Sequence, residues 1–293
     1  MSRYSIWVLE YSYIEAVPVS VQIYAAHNEG TRRIPFAYVL IKGSGVVAMI
    51  DVGFNRKDYG AVLAEEFDIV NWRSPATVLA ECGVTPEDVT HVFLTHAHYD
   101  HMGGIEAFPN ATFYIQEREL SKWVWAMALD RRFRFLMSAT DPADILRAVD
   151  LARQGRLKCV NGDVEDVLSG IDLHAAFDTH TWGSMFVRVR NDGRRDSDDN
   201  WIFAGDNVYC FENLVGRDAS DPEYLPIGLA VGSHTEILFS IDQMVRLAGG
   251  DPRRVVPVHE DRLGTKFPCR TTREGLRVFE IALGDGESSL TTA

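Results

Sequence analysis

Three imidazoles and one carboxylate crowd into six residues, His96-Ala97-His98-Tyr99-Asp100-His101. A lone histidine is usually a hydrogen-bonded structural residue, but four nitrogen and oxygen donors this close suit divalent metal ions. In an extended x-His-x-His stretch alternate side chains point the same way, so His96 and His98 can share one ion. Asp100 and His101 can then turn toward a second.

Two ions need more ligands, and the chain offers three beside apolar segments. His180 lies on a polar turn in Phe177-Asp178-Thr179-His180-Thr181-Trp182-Gly183-Ser184, before a strand expected at Met185 to Val189, and supplies a third nitrogen to the first ion. Trp201-Ile202-Phe203-Ala204-Gly205-Asp206 reads as a buried strand running into a carboxylate, and Asp206 can bridge both ions. Arg254-Val255-Val256-Pro257-Val258-His259 is a second apolar strand with a histidine at its tip, and His259 completes the second ion.

The elements around the dense motif are equally patterned. Val89 to Thr95 is β-branched and apolar, which predicts a buried strand, and Met102-Gly103-Gly104-Ile105 is expected to open a helix. The ligands would then sit on a strand-to-helix loop. Glycines at 103 and 104 would remove side chains where that loop re-enters the fold.

With these donors in this order, the chain from about residue 35 to 265 resembles the metallo-β-lactamase superfamily of hydrolases. The resemblance implies an α/β fold, an αββα sandwich of two mixed β-sheets flanked by helices, with the metals in a cleft at one edge. Tyr209, three residues after Asp206, stands where the N-acyl homoserine lactonase branch carries a tyrosine that donates a hydrogen bond to the substrate's ester. Two departures stand out. Ile50-Asp51-Val52-Gly53 replaces the usual Asp-Thr-Gly, although Asp51 is retained and can orient a ligand imidazole. His180 lacks flanking prolines, and nearby Trp182 either walls a pocket for a flat substrate or packs in the core.

The resemblance and the ligand set together imply a dinuclear metal-dependent hydrolase. Two divalent ions, zinc or otherwise Mn2+, Fe2+ or Co2+, would activate a bridging hydroxide that opens a small cyclic ester, a lactone. Tyr209 would polarise the carbonyl, and Asp100 would shuttle the proton. Three alternatives stay open. The same site could cleave a cyclic amide or an aromatic ester or amide. A mononuclear-iron oxygenase acting on thiol adducts would drop part of the second ligand set, whereas Asp100, His101, Asp206 and His259 are all present. A non-catalytic binding module would have no use for a complete ligand set.

Composition narrows the partners. The 293 residues are 46% hydrophobic and show no repeat or low-complexity linker, which predicts one domain over 1–293. A helical cap is expected at about 117–157, rich in aromatic and Met residues (Trp123, Trp125, Met127, Phe133, Phe135, Met137), some of which would line a substrate pocket. A net charge of −13 and a pI near 5.1 leave no basic face for nucleic acid, so a small-molecule substrate is expected. The arginines cluster only locally, and Asp192 to Asp199 reads as a solvated hairpin loop. No apolar stretch reaches membrane-spanning length, and Met1-Ser2-Arg3-Tyr4 lacks the order of a signal peptide, so a cytoplasmic protein without membrane contact is expected. Cys82, Cys159, Cys210 and Cys269 are widely spaced and read as reduced, mostly buried thiols. His27, His91, His174 and His234 lack ligand-like neighbours and are given structural or surface roles, His234 at a helix start. Tyr11, Tyr13, Ile14 and Val17 either add a strand or reach over the cleft of a second subunit in a homodimer.

Overall fold

A computed structural model describes residues 3–218 and 220–291. Met1 and Ser2, part of the start considered above, lie outside the described residues. In chain order the strands are β1 (Ser5–Pro18), β2 (Thr31–Gly43), β3 (Val46–Ile50), β4 (His91–Phe93), β5 (Thr112–Gln116), β6 (Leu157–Val160), β7 (Val164–Leu168), β8 (Ile171–Ala175), β9 (Met185–Arg190), β10 (Asn200–Phe203), β11 (Val255–Val256), β12 (Cys269–Thr271) and β13 (Arg277–Ala282). They form an eight-stranded sheet ordered β12-β13-β1-β2-β3-β4-β5-β6 and a five-stranded sheet ordered β11-β10-β9-β8-β7. Both are mixed. β3 to β6 run parallel to one another, as do β10 and β11, and the other pairs are antiparallel.

Alternation along β1 shows how the layers assemble. Ile6 and Val8 face inward and meet Leu173, Val187 and Phe203 of the smaller sheet. Trp7, Leu9 and Tyr11 face the other way, among residues of the helices Asp58–Glu66, Pro75–Leu79, Glu117–Met127 and Pro142–Arg153. Beyond the smaller sheet, Phe186 and Ile202 pack with Ile237, Ile241 and Met244 of the helix His234–Leu247. The result is an αββα sandwich. Strands buried on both faces need apolar residues at every position, which is why β3 reads Val-Val-Ala-Met-Ile without polar alternation. Each such fully buried aliphatic or aromatic side chain contributes about 1.5–3 kcal/mol.

Parallel pairing brings strand ends to one edge. β3 and β4 are parallel, so Asp51 and the loop Leu94 to His98 leave the larger sheet together. β10 and β11 are parallel too, so Asp206 and His259 leave the smaller sheet together. The β8–β9 hairpin delivers His180, and the Met185 N–H donates to the Thr95 carbonyl (2.9 Å), joining the sheets beside the ligands.

Several expectations are refined. The helix after the motif is one turn, Tyr99–Met102, and starts before Met102, so Asp100 and His101 lie on it rather than before it. Gly103 and Gly104 follow that turn. A Cβ at 104 would sit 2.1 Å from the Val52 carbonyl oxygen, and one at 103 would sit 2.5 Å from that of Tyr99, so close backbone approach requires both glycines. Residues 117–157 hold the helices Glu117–Met127 and Pro142–Arg153 with a 3-10 turn between them, and they connect the adjacent parallel strands β5 and β6. Trp123 is fully buried there, whereas Trp125, Phe133 and Phe135 are exposed. Tyr11 lies inside β1 and donates to the Asp100 carbonyl of its own chain (2.8 Å). Cys82 and Cys210 are buried, but Cys159 is exposed at the edge of the sheet. Among the described residues no helix is long and apolar enough to cross a membrane.

One buried acid gives the fold a pH dependence. Asp144 lies in the first turn of Pro142–Arg153; burial, and then the nearby Asp141 charge, push its carboxyl up to about 7. Arg147 opposes this at 2.8 Å, but that cation also pairs with Asp58 and Glu106. A carboxyl whose folded pKa is raised binds more protons in the folded state. Stability from this group is therefore present below the ordinary pKa near 4 and is lost as pH rises toward 7, by up to about 4 kcal/mol. Thermal melts at pH 4.5 and 7.5 should show Asp144→Asn gaining on the wild type as pH rises; a difference independent of pH would contradict this.

Candidate metal centre

Two groups of donors meet at the shared edge. His96, His98, His180 and Asp206 form one, and Asp100, His101 and His259 the other, with the ligand atoms of each group within 4.8 Å of one another. All seven residues are buried, and Asp100 and His98 retain the most exposure at 8% each.

Asp206 spans the two groups. Its Oδ2 lies 3.4 Å from His180 Nε2 and 3.8 Å from His96 Nε2, whereas Oδ1 lies 3.0 Å from His101 Nε2 and 3.1 Å from His259 Nε2. Asp100 Oδ2 is 3.4 Å from His101 Nε2 and 3.7 Å from His259 Nε2. His98 turns its other nitrogen inward, and Nδ1 approaches His180 Nε2 to 2.9 Å.

The far side of each ring shows why the inward nitrogens point where they do. His180 Nδ1 donates to the Leu229 carbonyl (2.8 Å) and His259 Nδ1 to that of Pro35 (2.7 Å), which fixes Nε2 as the inward lone pair. His101 Nδ1 faces Asp51 Oδ2 (2.8 Å), and that carboxylate also accepts from the Thr95 N–H and hydroxyl (2.8 Å each). Asp51 takes φ +60°, a strained value for a non-glycine residue, in making these bonds.

These donors fit divalent ions. Among the described residues, His96 Nε2 is buried without a hydrogen-bond partner, an arrangement that costs free energy unless a cation meets it. Burial, with neighbouring histidines, pushes His96 well down and His98 down to about 3, and burial lowers His180, so these rings keep lone pairs for a metal. In the second group burial also disfavours charge, but Asp206 and Asp100 overcome it and draw protons onto His101 and His259. That excess of negative potential is what a dication would neutralise.

Tyr209 sits beside both groups. Its ring stacks on His259 (centroids 5.2 Å apart, planes at 20°), and its hydroxyl donates to Asp206 Oδ2 (2.8 Å). Burial, and then the Asp206 charge, raise the phenol well above its ordinary pKa, so it remains a donor. Asn213 holds this segment. Its Oδ1 accepts from the Tyr209 and Cys210 N–H groups (2.9 Å each), while Nδ2 donates to the Gln22 and Leu225 carbonyls. Trp182 packs edge-on against Trp123 and Trp125. His234 opens the helix His234–Leu247 and lies against Tyr24.

Neither Asn213 nor Glu119, whose buried carboxylate contacts both ligand loops, was recognisable beforehand. The only signal for Asn213 was its spacing of four from Tyr209. Glu119 gave none, since its partners Ala97, Thr181 and Gly183 are distant in sequence.

The family model for the metallo-beta-lactamase superfamily matches residues 30–259. A probable metallo-hydrolase of Mycobacterium tuberculosis is 27% identical over 106 residues, 33% of this chain and 34% of the relative, so the chain spans about a third of that relative's length. The N-acyl homoserine lactonase AttM of Azorhizobium caulinodans is 51% identical over 37 residues, 13% of this chain and 14% of that one. Among solved structures, AidC, a dizinc quorum-quenching lactonase in complex with N-hexanoyl homoserine product, superposes with TM-score 0.62 at 18% identity, covering 97% of this chain and 96% of its own. With the sandwich, the converging histidines and a family match over most of its length, the chain belongs to the metallo-beta-lactamase superfamily.

Proposed function

We propose that the protein is a dinuclear metal-dependent hydrolase that opens a small lactone. The observation that carries this is the Asp206 carboxylate, with one oxygen toward each donor group and the Tyr209 hydroxyl on its flank. Imidazole and carboxylate donors suit zinc, and His96, His98, His180 and Asp206 would hold one ion, with Asp100, His101, His259 and the other Asp206 oxygen holding the second. Bound divalent ions supply an activated water and a Lewis acid for a carbonyl oxygen.

The protein's own groups do the rest. Substrate approaches from the side where Asp100, His98 and Tyr209 keep residual exposure. Tyr209 donates its hydroxyl proton in a hydrogen bond to the acyl oxygen, stabilising the negative charge that develops there. Asp100 takes the proton of the attacking water at a carboxylate oxygen and returns it to the alkoxide when the ring C–O bond breaks, so the product is an open hydroxy acid. Asp51 and the Leu229 and Pro35 carbonyls hold the imidazoles in orientation throughout.

The test is hydrolysis of a panel of N-acyl homoserine lactones, simple lactones, lactams and aryl esters by the metal-loaded protein. Lactones should lead the panel; turnover confined to lactams or aryl esters would overturn the substrate and keep the hydrolase. Tyr209→Phe should lower kcat/KM for the best lactone by about 10- to 100-fold, with metal content unchanged. An unaltered rate would remove Tyr209 from the reaction.

A further inference from the structure

Glu119 is the third residue of the helix Glu117–Met127 and is completely buried. Buried carboxylates are usually paired with a cation, yet this one accepts only from neutral donors. Oε1 accepts from the Ala97 N–H (2.8 Å) and the Trp123 indole N–H (2.7 Å), and Oε2 accepts from the Thr181 hydroxyl (2.8 Å) and the Gly183 N–H (2.8 Å). The donors come from particular places. Ala97 separates His96 from His98, and Thr181 follows His180. One carboxylate thus ties together the two loops that carry all three imidazoles of the first donor group.

The surrounding contacts are tight. A Cβ at Gly183 would lie 2.2 Å from Glu119 N and 2.6 Å from its Cα, so the His180 loop rests directly on the helix start. Thr181 also bonds Ser184 through its hydroxyl (2.7 Å), and the Trp123 ring, aligned by Glu119, lies 5.7 Å from the His98 ring. The helix N-terminus favours a negative charge at this position. The two loops also meet directly, at His98 Nδ1 and His180 Nε2 (2.9 Å) and where the Met185 N–H donates to the Thr95 carbonyl (2.9 Å), but the Glu119 carboxylate binds the backbone between the ligands on one side and beside the ligand on the other.

We propose that Glu119 is a positioning residue that sets the separation of His96 and His98 from His180, and so determines how tightly the first donor group holds its ion. This rests on the metal-centre function proposed above. A neutral amide at 119 has one acceptor oxygen instead of two and turns an NH2 group toward donors; the Thr181 hydroxyl can reverse and accept, but at least one N–H, that of Gly183 or those of Ala97 and Trp123, loses its acceptor and the loops part. The second donor group, Asp100, His101 and His259, has no bond to Glu119 and serves as an internal reference.

The experiment is stepwise zinc titration of metal-free protein against a chromophoric chelator, with visible spectra of the cobalt-loaded form, for wild type, Glu119→Gln and Thr181→Val. Glu119→Gln should weaken one of the two ions by about 10- to 100-fold and leave the other within about threefold, with a changed cobalt spectrum. Thr181→Val, which keeps the carboxylate and removes one donor, should weaken the same ion by a smaller factor, and it decides the matter if Glu119→Gln does not fold. Variants with lowered melting temperature but wild-type affinities and cobalt spectrum would show Glu119 to be structural only and overturn the proposal. A wild type that binds no metal would instead defeat the metal-centre function itself.

Discussion

Asp206→Ala is expected to reduce lactone turnover by more than about 100-fold, beyond the upper range for removing a group that merely orients a ligand. The Asp206 carboxylate reaches both donor groups, and its loss withdraws the negative charge that faces His96, His180, His101 and His259 together. It also frees the Tyr209 hydroxyl of its acceptor. Asp206→Asn keeps the shape and one oxygen, so it should lie between alanine and wild type in metal content. Metal analysis and kcat/KM measured on the same preparations check this. Full activity in Asp206→Ala would mean that the reaction does not use this centre.

Removing metal should have the second large effect, on stability. Ions that bind only the folded state stabilise it by about 4 kcal/mol per site when free metal exceeds the dissociation constant a thousandfold. For a chain of this size about 1 kcal/mol moves the melting temperature by roughly 1.5–2 °C, so stripping one such site should lower it by about 6–8 °C. The buried His96 Nε2, which has no hydrogen-bond partner among the described residues, and the carboxylates crowded among buried imidazoles give the structural reason. Melts with and without chelator, and after zinc is restored, provide the check; coincident curves would contradict it.

The seven donors gathered at the edge were visible in the chain because each stands where an apolar strand or turn ends, and an imidazole or carboxylate there has few structural uses. The sandwich was legible only through the family resemblance of that motif order. Strand periodicity could not reveal it, since β3 and β10 are buried on both faces and carry no alternation. Other features escaped for definite reasons. The acceptors that set the tautomers of His180 and His259 are backbone carbonyls of Leu229 and Pro35, which no side-chain pattern marks. Glu119 carried no signal, because Ala97 and Gly183 contribute through their backbones. Trp182 left two roles open in the sequence; in the structure it is partly exposed and packs edge-on against the buried Trp123 and the exposed Trp125. The N-terminal segment was expected either to add a strand or to reach a neighbouring subunit. It adds a strand, β1, within the larger sheet, from which Tyr11 reaches Asp100 of its own chain.

The most direct measurement is the metal content of the purified protein by elemental analysis, repeated after dialysis against chelator and again after reloading with zinc. Two equivalents of divalent metal per chain, lost and regained together with lactone hydrolysis, are the predicted result. A single equivalent of iron, or full turnover by metal-free protein, would contradict the dinuclear centre.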